Sequence, residues 1–212
     1  MIENKLRLNI VIVLFTLLCP FMYVNVVAQN IPPSTTNLVL WLKADSGIVK
    51  FGATDSVQGW EDGAGTNEAA VQATAANMPR LINGGPLVNN KAVLAFDGNN
   101  DIMTGPILTG LGAGQYSIFI LANGNNQTGN SSYGFFGMAT GEGVFDIFRR
   151  SGTNENIRVL STSGSLTSAT GSFLNTGFPY RVISVTQNTV TNGAHLRVNG
   201  TLSATNTAST ST

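Results

Sequence analysis

Apolar residues in this chain come in short runs separated by clusters of Gly, Asn, Ser and Asp, a pattern that predicts β-strands joined by tight turns. The stretch Leu94–Met103 organises the rest. An apolar run reaches Phe96, breaks into Asp97-Gly98-Asn99-Asn100-Asp101 and resumes as Ile102-Met103, which predicts a hairpin. Gly98 is expected at positive φ, with Asp97, Asn99 and Asn100 bonding nearby amides. Asn37–Ala44 reads as a first strand, apolar on both faces and therefore buried between two layers, and Ser56–Trp60 as a short second one. Glu68–Met78 is Ala-rich, yet it lacks a 3.6-residue apolar stripe and is stopped by Pro79. It is expected to be mostly loop, with a short strand near Val71.

Gln115–Ala122 is apolar on both faces and predicts a central strand. Tyr133–Met138, Gly143–Arg150, Ile157–Ser161, Tyr180–Gln187 and Ala194–Asn199 continue the series. A last hairpin turns at Asn199-Gly200, and its return strand dissolves after Leu202 into the polar tract 203–212. The expected fold is all-β, an antiparallel two-sheet β-sandwich of jelly-roll type with Trp41, Phe96 and Phe119 between the sheets. Its closing strand is missing from the pattern, so the natural polypeptide is expected to continue past Thr212.

The start of the chain changes the picture of location. Lys5 and Arg7 precede an apolar run from Ile10 to Val27, followed by Ala28-Gln29, which describes a secretory signal peptide over 1–28. An uncleaved anchor is the alternative, since Leu8–Ala28 nearly spans a bilayer, but Pro20 and Asn25 argue against it. Residues 29–36 read as an extended linker and 37–202 as one domain. The expected location is secreted or cell-surface, with no membrane contact after cleavage. The only cysteine, Cys19, lies in the leader, so the domain has no disulfide and no thiolate metal site. Eleven basic and 11 acidic groups cancel, which leaves no electrostatic footprint for nucleic acid.

Leu40-Trp41-Leu42-Lys43-Ala44-Asp45-Ser46-Gly47, Val57-Gln58-Gly59-Trp60-Glu61-Asp62, Ala70-Val71-Gln72, Pro79-Arg80-Leu81 and Ala92 to Asp101 closely resemble, in order and spacing, the start of concanavalin A-like lectin/glucanase domains, the laminin-G-like modules of secreted bacterial proteins. Tyr116–Ile120 and Leu196–Thr201 look like later strands of that family, so the resemblance spans 37–202. It implies the sandwich fold but not one activity, because the superfamily includes lectins, hydrolases, adhesion modules and spacers.

Candidate chemistry is sparse. Asp97, Asn99 and Asp101 place oxygens at alternate positions, as a calcium loop would; the alternative is that they cap the turn. Tyr133, Phe135 and Phe136 follow a polar loop and could form an exposed platform for a ligand; the alternative is core packing. Trp41 and Trp60 could stack on a sugar, but sit in apolar patterns that favour the core. Glu142 and Asp146 are the one close acidic pair on a late strand, without the denser cluster that the resemblance would require of a glucanase. His195 is the single histidine, expected on an outer face, and no Gly-x-Ser-x-Gly accompanies it. Arg149-Arg150 reads as a solvated strand end. The expected function is noncatalytic binding of a glycan or extracellular polymer, within a polypeptide carrying further domains. A structural or adhesion module and a glycoside hydrolase are the alternatives.

Overall fold

The computed structural model describes residues 36–65, 69–106, 108, 115–123, 132–138, 145–150, 156–161, 164–168, 180–188 and 193–206. The expected leader, most of the linker, and 207–212 of the expected tail lie outside them. Among the described residues the regular structure is strand, apart from two short 3-10 turns at Ala75–Asn77 and Pro86–Val88. No helix among them is long and apolar enough to cross a membrane.

The strands form four antiparallel sheets, so the all-β, antiparallel expectation stands. The first half of the chain contributes β1 (Ile48–Lys50), β2 (Val57–Trp60) and β3 (Ala70–Val71) in one sheet, and β4 (Arg80–Asn83) with β5 (Ala92–Ala95) in another. The second half builds two four-stranded sheets. One has the order β10 (Gly164–Thr167), β9 (Asn156–Ser161), β8 (Phe145–Arg150), β7 (Ser132–Met138). The other has the order β13 (Thr201–Asn206), β12 (Gly193–Val198), β11 (Arg181–Asn188), β6 (Tyr116–Ala122).

These two sheets share one apolar core. Ile147, Ile157, Val159 and Leu166 come from the first, and Ile183, Val185, Leu196 and Val198 from the second. All eight are aliphatic and six are β-branched, which suits side chains stacked on a pleated surface. Burying each contributes roughly 1.5–3 kcal/mol. Alternation explains the choice: Ile183 and Val185 are two apart on β11, as are Leu196 and Val198 on β12. Tyr116, Ile118, Ile120 and Ala122 supply the inward row of β6.

Three corrections follow from burial. Phe119 is 69% exposed and Phe96 is 47% exposed, while Trp41 is half-buried outside the core cluster. None of the three aromatics fills the space between the large sheets, because the aliphatic rows already do. Strand β6 is not central: it ends the order of its sheet and pairs only with β11 among the described strands. Its two apolar faces reflect one face in the core and one turned outward, not burial on both sides.

Two further expectations are corrected by pairing. Lys91–Phe96 does not pair with Ile102-Met103; β5 pairs with β4, with Arg80 opposite Ala95 and Asn83 opposite Ala92. After the turn the chain goes elsewhere: Ile102 N donates to Asn77 O, and Thr104 and Val71 exchange two backbone bonds. At the other end, β13 runs through Asn206, so Ser203–Asn206 is paired strand and not a dissolved tail. The turn itself is as expected, with Asn199 at φ 51 and Gly200 at φ 78, the conformation that a tight Asn-Gly hairpin needs.

Asn37–Ala44 is not a strand. The loop after β2 holds its Trp41 backbone: Asp62 Oδ1 accepts from Trp41 N at 2.8 Å, and also from Ala64 N at 2.9 Å within the loop, and Gly63 N donates to Trp41 O. Trp60 Nε1 reaches back to Lys43 O at 2.9 Å. A Cβ on Gly63 would stand 3.0 Å from Trp41 Cδ1 and 3.2 Å from Trp41 O, close enough that the indole or the loop would have to give by a few tenths of an ångström. The ion pairs Lys43–Asp45 (3.5 Å) and Lys91–Asp45 (3.3 Å) tie the same segment toward β5. The Leu40–Gly47 and Val57–Asp62 segments thus meet in space, through an aspartate and a glycine instead of a strand ladder.

Candidate functional site

The side of the β6–β11–β12–β13 sheet that faces away from the core carries three rows of side chains set by register. The first is Phe119, Ser184, Arg197 and Leu202, one from each strand. The second is Ser117, Thr186, His195 and Thr205. The third pairs Leu121 with Val182, and Asn199 closes it by accepting from Val182 N through Oδ1 at 2.9 Å. The face is therefore apolar along one margin and hydroxylic along the other, with a single guanidinium between.

Exposure makes this face a site candidate. Besides Phe119, Leu121 is 58% exposed and Val182 43%, so three apolar side chains stand in solvent in adjoining positions, and Leu202, 52% exposed, stands on the far strand of the same face. A β-bulge between Leu196 and Arg197 keeps Leu202 opposite Arg197 while Ala204, opposite Leu196, packs on the core. Without that extra residue Leu202 and Ala204 could not hold these opposite duties. Ser184 lies between Phe119 and Arg197 and is buried despite its outward row. Arg197 Nη1 approaches Thr186 Oγ1 at 3.5 Å, and His195 Nδ1 lies 3.3 Å from Thr205 Oγ1. At the end of β6, Tyr116 donates from its hydroxyl to Gln187 Oε1 at 2.9 Å, and burial pushes its phenol up to about 12.

Of the residues singled out from sequence, His195 lies in the second row of this face, and the others lie elsewhere. Phe135 and Phe136 are half-buried and both pack against the core, although they are neighbours in the chain. A bulge in β7 between Gly134 and Phe136 explains how two consecutive residues face the same way. Both are partly buried against the core instead of fully exposed. Tyr133 stands opposite Arg149 in register. Asp146, opposite Gly137 and Leu160, lies in β8, whereas Glu142 is outside the described residues. Trp60 is half-buried with its indole nitrogen committed to Lys43.

In the 97–101 loop the oxygens serve the backbone. Asp97 Oδ1 accepts from the amides of Asn99, Asn100 and Asp101, at 2.8, 3.1 and 3.2 Å, and Asp101 Oδ2 accepts from Asp97 N at 2.8 Å. Gly98 takes φ 73, the left-handed conformation that the turn requires. Asn100 Nδ2 donates to Ala76 O and Asn77 Oδ1, which docks the loop on the 3-10 turn. Among the described residues no group of three His, Cys, Asp or Glu side chains could hold a metal ion.

The amide of Asn99 foremost, followed by those of Asn100 and Asp101, holds the Asp97 carboxyl below its usual range despite some desolvation. A lowered folded pKa gives stability that is complete above the unfolded value of about 3.9 and is lost as pH falls through the folded one. Asp97→Ala should therefore lower Tm at neutral pH, with a deficit that shrinks toward zero in acid. Melting both proteins across this range checks it, and a deficit that does not change with pH would refute the assignment.

Comparison with protein-family models, curated proteins and solved structures finds no match.

Proposed function

We propose that this chain is a noncatalytic module, a β-sandwich of the concanavalin A-like type, that binds a glycan or extracellular polymer on the outward face of the β6–β11–β12–β13 sheet. The observation that carries the reading is Phe119, an aromatic 69% exposed on a regular strand, beside a hydroxylic row of Ser117, Thr186 and Thr205. A sugar ring offers an apolar face of C–H groups for stacking and a rim of hydroxyls for hydrogen bonds, and the rows provide both kinds of contact side by side. The shared core of the two large sheets and the sequence resemblance support the sandwich. The apolar leader supports export, where such polymers are met.

The test is a set of soluble polysaccharides titrated against the protein and its Phe119→Ala variant. Loss of the stack should cost about 1–2 kcal/mol of binding, roughly tenfold in affinity. Because Phe119 is exposed, its removal should leave Tm unchanged. An unaltered affinity would remove this face from consideration.

One feature favours a second reading, an adhesion module that binds protein. Strand β6 (Tyr-Ser-Ile-Phe-Ile-Leu-Ala) has no charge, no Pro and one strand partner among those described, the profile of an edge open to another strand. Concentration-dependent self-association, abolished by Phe119→Lys, would favour it over glycan binding.

A further inference from the structure

We infer that the polymer taken by this face bears carboxylates, a uronate polysaccharide, and that Arg197 selects it. The inference rests on the glycan reading above and adds the ligand's charge.

The four strands of the sheet read Tyr-Ser-Ile-Phe-Ile-Leu-Ala, Arg-Val-Ile-Ser-Val-Thr-Gln-Asn, Gly-Ala-His-Leu-Arg-Val and Thr-Leu-Ser-Ala-Thr-Asn, without one acidic residue. The ion pairs among the described residues all lie between Lys43 and Lys91, so Arg197 has no carboxylate partner among them. On the face its Nη1 approaches the neutral Thr186 hydroxyl at 3.5 Å. It is half-buried in the row that runs from Phe119 through Ser184 to Leu202. A guanidinium partly withdrawn from water, with no carboxylate on it among the described residues, is a ready donor for an arriving anion.

Geometry narrows the anion. The guanidinium presents five donors in a planar fork that matches a carboxylate through two parallel bonds, and such charge-assisted bonds are about twice as strong as neutral ones. Phe119 and Arg197 stand two strands apart, roughly 9–10 Å between backbones. A chain laid across the strands can therefore stack one ring on Phe119 while a neighbouring sugar presents its carboxylate to Arg197. Polysulfated chains gain most from clusters of cations, whereas the described rows of this face carry one arginine and, in the next row, His195.

The experiment titrates the full chain with polygalacturonate, with the same polymer fully methyl-esterified, and with a sulfated galactan. Polygalacturonate should bind about tenfold tighter than its ester, with a preference that weakens as salt is added. Arg197→Met should erase that preference by bringing the affinity for polygalacturonate down toward that for the ester, and Arg197→Lys should retain part of it. Equal affinity for acid and ester, a preference that survives Arg197→Met, or tighter binding of the sulfated polymer would each overturn the inference while leaving glycan binding intact. Binding of none of the three polymers would overturn both. The comparison of acid with ester uses the unaltered protein, so the inference stays falsifiable if a variant misfolds.

Discussion

Ile183→Ala should destabilise the protein by about 2–5 kcal/mol, because it removes a side chain with no exposed surface from the strand flanked by β6 and β12. The loss combines the transfer energy of the deleted carbons with the cavity left among Val185, Leu196, Val198 and the residues of the facing sheet. Against a typical domain stability of roughly 5–15 kcal/mol, this is a large share of the total. Phe119→Ala deletes a larger side chain from an adjoining strand, yet should change stability by no more than about 0.5 kcal/mol, since Phe119 stands in solvent. Urea denaturation of both variants makes the comparison, with the midpoint shift read at constant slope. If Phe119→Ala proved as costly as Ile183→Ala, the outward face would belong to the core and the binding surface described above would not exist.

Asp62→Ala should cost about 2–4 kcal/mol, because one carboxylate oxygen accepts two amides, Trp41 N and Ala64 N, in a half-buried place. Removing it strands both donors and frees the segment that runs from Trp41 to Asp45. Asp62→Asn keeps an acceptor oxygen there and should recover most of the loss. The only two tryptophans, Trp41 and Trp60, sit in this assembly, so fluorescence reports on it separately from the aliphatic core. Asp62→Ala should red-shift the emission as the indoles meet water. An unshifted spectrum together with a wild-type denaturation midpoint would show that the Asp62 contacts contribute nothing.

What could be read from the residues alone depended on how local the signal was. β7, β8, β9, β11 and β12 fall within a residue or two of their expected spans, because alternation and strand propensity act over neighbouring positions. The same holds for Gly98 and for Asn199-Gly200, whose positive φ follows from steric freedom and a short polar side chain. Asp97 as a cap was legible for the same reason. The candidate face was not legible. Phe119 looked like core because its strand is apolar on both sides, and nothing in Tyr116–Ala122 says which row meets another sheet. Phe135 and Phe136 looked like a platform because a regular strand would send one of them outward, and a one-residue bulge sent both inward. A signal for the face did exist in the absence of acidic residues from four strands, but it emerges only when those strands are known to be neighbours.

That this chain is made of short antiparallel strands, where many of them lie and how its tightest turns bend follow from adjacent residues, since propensity, pleat and backbone sterics act locally. Which side of each strand is dry, that Asn37–Ala44 docks by way of Asp62 and Gly63 instead of joining a ladder, and that Phe119 and Arg197 share an open row were set by the folded packing. Those outcomes depend on register between strands far apart in the chain, where one residue of slip or one bulge exchanges the buried face for the exposed one.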